Sequence, residues 1–240
     1  MLNSYKNILV FTKKINQEYL DSGIIDFQEI TDFALELSGG KFAAFNLFVE
    51  GTNDFKTIKI SGDNKKFTKA LDIIGFNPVG KVWNFDPIRE ERIKNNTVTL
   101  FNSLEDLAGN LISENKLSAI EKIAGIKETV IIRIAVNNKT AADFTIFIDK
   151  DKNFLRFEEA KLFASQIGIL IEKLNVSRNL IENKEKMDFI VEVTGAGAWD
   201  LDMETKKIKF SPEWKNMLGY SDEEIENSFE GWRKLWHPQD

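Results

Sequence analysis

The 240-residue chain is 42% hydrophobic and 29% charged, with 38 acidic against 32 basic side chains and no cysteine. That is the composition of an ordinary soluble globular protein with room for two modest domains. The missing thiols exclude disulfides, zinc fingers, iron–sulfur ligation, thiol catalysis and any cysteinyl-flavin, and they suit a cytoplasmic setting. No run approaches 18 apolar residues and the first twenty residues lack a signal-peptide layout, so no membrane span is expected in this chain; neither part of it is basic enough to suggest nucleic acid.

Charge divides the chain. Residues 1–187 balance at 26 acids and 26 bases, whereas 188–240 carry 12 acids against 6 bases and hold four of the five tryptophans. A shift this sharp marks a second module. In the first part, Asp26 with Glu29 forms a capping box, Ile30, Phe33, Ala34 and Leu37 recur at helical spacing, and Gly39-Gly40 stops the helix. KFAAFNLFVE (41–50) is apolar on both faces, as in a central strand covered on both sides, and DFKTIKISGD (54–63) alternates like its hairpin partner. A short helix is expected at 65–74. Asp86-Pro87 sets a cap and a proline at the start of another. Ser103 with Asp106 predicts a helix over 104–124. ETVIIRIAV (128–136), Asn137-Asn138 and KTAADFTIFID (139–149) read as a tight hairpin, since asparagine tolerates the positive φ of such a turn. From Phe157 to Val193 the pattern stays helical, 37 residues that reach roughly 55 Å, more than a 100-residue domain needs for its own core.

This order of elements resembles a GAF domain over about residues 5–175, most closely in VIIRIAVNNKTAADFTIFIDKDKNFLRFEEAKLF. The resemblance implies an α+β fold, an antiparallel sheet flanked by helices, with a pocket for a small ligand. The Asn-Lys-Phe-Asp-Glu signature of cyclic-nucleotide-binding GAF domains is not found, and the chain has neither the cysteine that tethers a bilin nor a histidine in this part to ligate haem. No covalent bilin and no GAF histidine-ligated haem is expected, and the cofactor is left unknown.

GAWDLDMETKKIKFSPEWKNMLGYSDEEIENSFEGWRKLWHPQD is similar to the opening half of a PAS domain. Residues 199–202 fit its first strand, 207–211 its second, Ser211-Pro212 a capped helix, and Trp232 and Trp236 lie four apart on one face. The family continues with a long helix and three more strands after the His-Pro-x-Asp step, so the expectation is a truncated PAS segment. The organisation is then a GAF-like domain at 1–175, a connecting signalling helix at 157–193 and the N-terminal half of a PAS domain at 194–240.

Conspicuous side chains have plain readings. His237 is the only histidine and cannot build a metal site or a triad alone; Gly195-Ala196-Gly197 follows no strand and is a flexible lead-in rather than a phosphate loop. The acid pairs Glu158-Glu159 and Glu223-Glu224 read as solvated caps. Arg133, a lone charge in an apolar strand, would pair with Asp143 across the hairpin or else reach a ligand cavity lined by Trp83, Phe85 and Phe101. Ile167, Leu170, Leu174 and Ile181 fall on a heptad seam, with Ser177, Lys184 and Asp188 at weak positions, which predicts a parallel homodimer through the connecting helix. No nucleophile–base pair, metal cluster or phosphate loop appears. The expected role is the sensory input region of a signalling protein, a histidine kinase first and a diguanylate cyclase next, with a ligand-free dimerisation scaffold as the alternative.

Overall fold

The computed structural model describes residues 2–49, 51–62, 64–108, 112–205 and 207–237; of residues 2, 64–67 and 71 it describes the backbone only. Residues 238–240 of the closing motif and 109–111 of the helix expected over 104–124 lie outside the described residues. Two compact units divide at Lys173/Leu174.

The first unit begins with two helices, α1 (Leu2–Ser22) and α2 (Phe27–Ser38). Asp26 caps α2 by accepting from the backbone N–H groups of Gln28 and Glu29, and Gly39 ends it at φ 65°, a left-handed conformation that costs glycine least. Strands β1 (Phe42–Phe48) and β2 (Phe55–Gly62) pair as expected, followed by α3 (Asn64–Ile74), a two-residue strand β3 (Val82–Trp83) and α4 (Pro87–Ile93), whose first turn is capped by Asp86. The helix expected over 104–124 is instead two, α5 (Leu104–Ala108) and α6 (Glu114–Ala124). Ser103 caps the first through Asp106 N–H, and Ser113 stands at a fresh N-cap position before the second. Between α4 and α5 runs a strand, β4 (Val98–Phe101), that the sequence analysis left unassigned; its β-branched, alternating run TVTLF is the signal that would have found it.

β5 (Ile126–Val136) and β6 (Lys139–Asp149) form the hairpin, with Asn137 and Asn138 at φ 51° and 64° in a two-residue turn. All pairings are antiparallel, and the six-stranded sheet has the order β3-β2-β1-β6-β5-β4. Strand alternation sends two sets of side chains to opposite faces. Ala43, Phe45, Phe144, Ile146 and Ile132 join Ile8 and Ile15 of α1, Ile30 of α2 and the first turns of α7 (Phe157–Thr194) in one core. Phe163 sits at its centre with no exposed surface, its ring 5.5 Å from that of Phe144 and 5.3 Å from that of Phe33. The opposite face carries Phe42 and Phe147, which meet α3, α5 and α6 in a second cluster.

The second unit holds the last turns of α7, a two-stranded antiparallel sheet of β7 (Trp199–Leu201) and β8 (Ile208–Phe210), and the short helices α8 (Pro212–Met217) and α9 (Phe229–Arg233). Ser211 caps α8, and Trp232 and Trp236 meet edge to face at 4.9 Å. Gly197 is required by packing: a Cβ there would lie 2.7 Å from Trp214 Cα. Lys215 is buried, and its ammonium is satisfied by the carbonyls of Asp222 and Ile225 at 2.7 and 2.6 Å and by the Asp222 carboxylate at 2.8 Å, which fastens the loop after α8. The acid pairs divide: Glu158 is exposed and paired with Lys161, Glu224 caps Ser221, but Glu159 is buried rather than solvated, near Arg156 at 3.9 Å. Among the described residues no helix is long and apolar enough to cross a membrane.

Removing the Phe163 ring leaves a void between sheet and helices that neighbouring rings cannot collapse to fill. Phe163→Ala should destabilise the first unit by about 3–5 kcal/mol, read as a lower urea midpoint with an unchanged slope.

Candidate functional site

On the face of the sheet away from α1, α2 and α7, the layer of α3 to α6 does not close completely. It leaves a cavity of roughly 180 Å³. Its walls change character along the strands. Toward Phe42 and Phe147 it is lined by Ala70, Ile74, Leu117 and Ile120; along the same two strands toward Asn46 and Thr145 it becomes polar.

The polar end is a connected network. Asn46 donates from Nδ2 to Asp143 Oδ1 at 2.7 Å and to Thr145 Oγ1 at 3.2 Å. Thr57 donates to Asn46 Oδ1 at 2.7 Å and accepts the Trp83 indole N–H at 2.9 Å. Thr145 donates to Asp143 Oδ1 at 3.3 Å, and Arg89 of α4 donates from Nη2 to Asp143 Oδ2 at 2.6 Å. Asp143 has no exposed surface and the Arg89 side chain is 6% exposed. The guanidinium also lies over the Phe55 ring, 4.5 Å from its centre. A backbone irregularity makes the network possible. The β1–β2 register shifts between Phe45 and Asn46, so that Asn46 faces Thr57. In unbroken register it would face Ile58 and the hydroxyl would turn to the other side.

The four side chains expected around a cavity are not brought together. Trp83 lines it. Phe85 is largely outside, 41% exposed, and Phe101 is wholly buried in a separate cluster with Ile93 and Ile131 beneath Arg92. Arg133 does stand opposite Asp143, but the expected ion pair is replaced: Arg133 bonds Thr140 Oγ1 at 2.7 Å and the Asn138 carbonyl at 3.1 Å, near the turn. Arg89 reaches Asp143 from the cavity side, and its planar head is held there by Phe55. The register itself comes from a two-residue turn plus a bulge between Ile134 and Ala135. Along α7, Ile167 and Leu170 are buried in the domain's own core and cannot serve a second chain; Leu174 is half-buried and Ile181 is 58% exposed. Sequence reasoning missed Asn46, Thr57, Arg89 and Thr145. The signal was available in Asn46, an amide inside an otherwise apolar strand.

Among the described residues no group of three or more His, Cys, Asp or Glu side chains is placed to hold a metal. The chain has no thiol to tether a bilin.

Flanking the cavity, Arg92 of α4 and Asp106 of α5 form an ion pair. The Arg92 hydrogen bond holds the Asp106 carboxyl below the ordinary aspartate range. A depressed folded-state value means the pair's contribution is present above the ordinary aspartate range and is lost as pH falls through it. The Asp106→Asn protein should therefore show a smaller loss of stability than wild type between roughly pH 5 and pH 3 in urea titrations.

The buried pair gives a stronger contrast. Asp143→Ala leaves Arg89 charged and unpaired and should cost about 3–5 kcal/mol, whereas Arg89→Met with Asp143→Leu should recover most of that loss. Double-mutant denaturation curves measure both.

A family model of the PAS fold matches residues 207–240. The phycoerythrobilin-bound GAF domain from a cyanobacterial phytochrome superposes with a TM-score of 0.52 at 11% identity, covering 74% of this chain and all of that domain. The chromophore-binding domain of Stigmatella aurantiaca bacteriophytochrome gives 0.49 at 11% identity over 71% of this chain and 59% of its own, so the chain spans under two thirds of that relative. Residues 122 to 287 of a methyl-accepting chemotaxis protein give 0.47 at 17% identity, covering 72% and 99%. No curated protein matches the chain. The chain is a GAF fold followed by a segment similar to the start of a PAS domain.

Proposed function

We propose that the chain is the sensory input region of a cytoplasmic, multidomain signalling protein, with a GAF domain over 1–175 that binds a small molecule in the sheet-face cavity, a connecting helix over 157–193, and the first half of a PAS domain over 194–240. The region is non-catalytic; its output is a histidine kinase. The observation that carries this reading is the fate of α7. Its first turns bury Phe163, Ile167 and Leu170 in the GAF core, and the same helix continues to Thr194 with Val176, Leu180, Met187 and Ile190 more than half exposed. A helix fixed at one end to a ligand-binding sheet and carrying bare apolar side chains at the other is suited to pass a packing change onward.

Those exposed positions also sharpen the dimer. With Asn183 between Leu180 and Met187, they fall on alternating four- and three-residue steps, a seam with more apolar positions than the stripe through Leu174 and Ile181. A parallel homodimer through this seam predicts that Leu180→Asp with Met187→Asp yields a folded monomer on light scattering, while Leu174→Asp with Ile181→Asp weakens association less. A wild-type chain that is monomeric at high micromolar concentration would defeat the dimeric relay.

A further inference from the structure

The chemistry of the cavity wall narrows what can occupy it. We infer that the site selects an uncharged, single-ring or small bicyclic apolar molecule carrying one hydroxyl or N–H donor, seated with its ring among Ala70, Ile74, Leu117 and Ile120 and its donor on the Asn46–Thr57–Thr145 network. This rests on the ligand-binding reading proposed for the same cavity and specifies its ligand.

Size sets the first limit. A dry apolar cavity of about 150 Å³ takes a benzene ring, and roughly 180 Å³ here allows a ring with a small substituent. Charge sets the second. The cation facing the cavity among the described residues, Arg89, is already matched by Asp143 at 2.6 Å with both groups buried. A ligand carboxylate or phosphate would bring a second anion against that one guanidinium, with net negative charge left out of water. A ligand ammonium would find Asp143 already bonded by Arg89, Asn46 and Thr145. Neither sign of charge gains a free partner.

Hydrogen-bond direction sets the third limit. Both Asn46 Nδ2 protons are taken, by Asp143 and Thr145. The Thr57 hydroxyl proton goes to Asn46, the Thr145 hydroxyl proton to Asp143, and the Trp83 indole proton to Thr57. Lone pairs remain on Thr57 Oγ1, Thr145 Oγ1 and Asn46 Oδ1, since each of these oxygens accepts one bond within the network and can accept another. The three side chains of the network therefore offer acceptors without donors. A phenol-like hydroxyl or an indole-like N–H complements those three oxygens; a ketone or nitrile of the same shape finds no donor on those three side chains.

Four probes on one ring test this: p-cresol, toluene, p-toluate and 4-methylbenzylamine, titrated calorimetrically into the full chain at pH 7. p-Cresol should bind most tightly. Toluene, which lacks the donor, should bind about tenfold more weakly, and the two charged probes should give no measurable heat. Ala44→Phe fills the cavity from β1 and should abolish p-cresol binding. Thr57→Val removes an acceptor and should bring p-cresol to within a few-fold of toluene, which gives a reading even if the bulkier variant does not fold. p-Toluate binding as tightly as p-cresol would overturn the proposed class while leaving a ligand-binding cavity. Silence from all four probes would overturn both the class and the ligand-binding reading, and p-cresol affinity unchanged in Ala44→Phe would place binding elsewhere and overturn the assignment.

Discussion

A carboxylate with no access to water sits in the middle of the six-stranded sheet, and the surrounding structure answers it. Asp143 belongs to β6, one of the two central strands, where a charge left unpaired would cost several kcal/mol. Arg89 matches it from α4, and Phe55 holds the guanidinium flat. Asn46 and Thr145 both donate to the carboxylate's other oxygen, Oδ1, and Thr57 and Trp83 extend the bonding to the edge of the sheet. Strands β1, β2, β3 and β6 and helix α4 are thereby tied at one point. Beyond that pairing α4 is held to the sheet only at its last turn, by Ile93 and by the Arg92 guanidinium over Phe101, while Ile88 points outward.

The two faces of the sheet solve different problems. The face toward α1, α2 and α7 is packed with aromatic and aliphatic side chains. Phe11 stacks on Phe33 at 3.9 Å and Phe45 meets Phe144 at 5.0 Å, so large rings exclude voids. On the opposite face the covering helices are short, and smaller residues such as Ala44, Ala70 and Ala124 meet them. The cavity lies where these small residues meet. Dense ring packing lies on one face and open volume on the other.

How far the sequence foretold this depends on the range of the interactions involved. The hairpin at 126–149, the caps at Asp26, Asp86 and Ser211 and the long α7 are local patterns, written in neighbouring residues, and they were legible. The break between α5 and α6 was less so, because Ser113 supplies a helix start without a side-chain bond to mark it. The site was mostly hidden. Arg89 and Asp143 lie 54 positions apart and Asn46 and Asp143 97 apart. Which arginine reaches Asp143 is decided by the packing of α4, which no periodicity records. Strand register alone favoured Arg133, and the register was right; the side chain turned toward the hairpin end instead. Thr57 was hidden for another reason, since its direction depends on a single extra residue in β2.

The bond between Trp83 and Thr57 has an optical consequence. Trp83 is the only tryptophan before Trp199, and its indole N–H is engaged in the network beside the cavity. Indole emission shifts with the polarity around the ring and with the hydrogen bond at nitrogen. A chain in which Trp199, Trp214, Trp232 and Trp236 are replaced by phenylalanine would carry a single tryptophan in the wall of the cavity, built into the fold and free of any attached dye. Its colour would follow the filling of the cavity, and its quenching by a soluble agent would report how far the cavity wall is open to solvent.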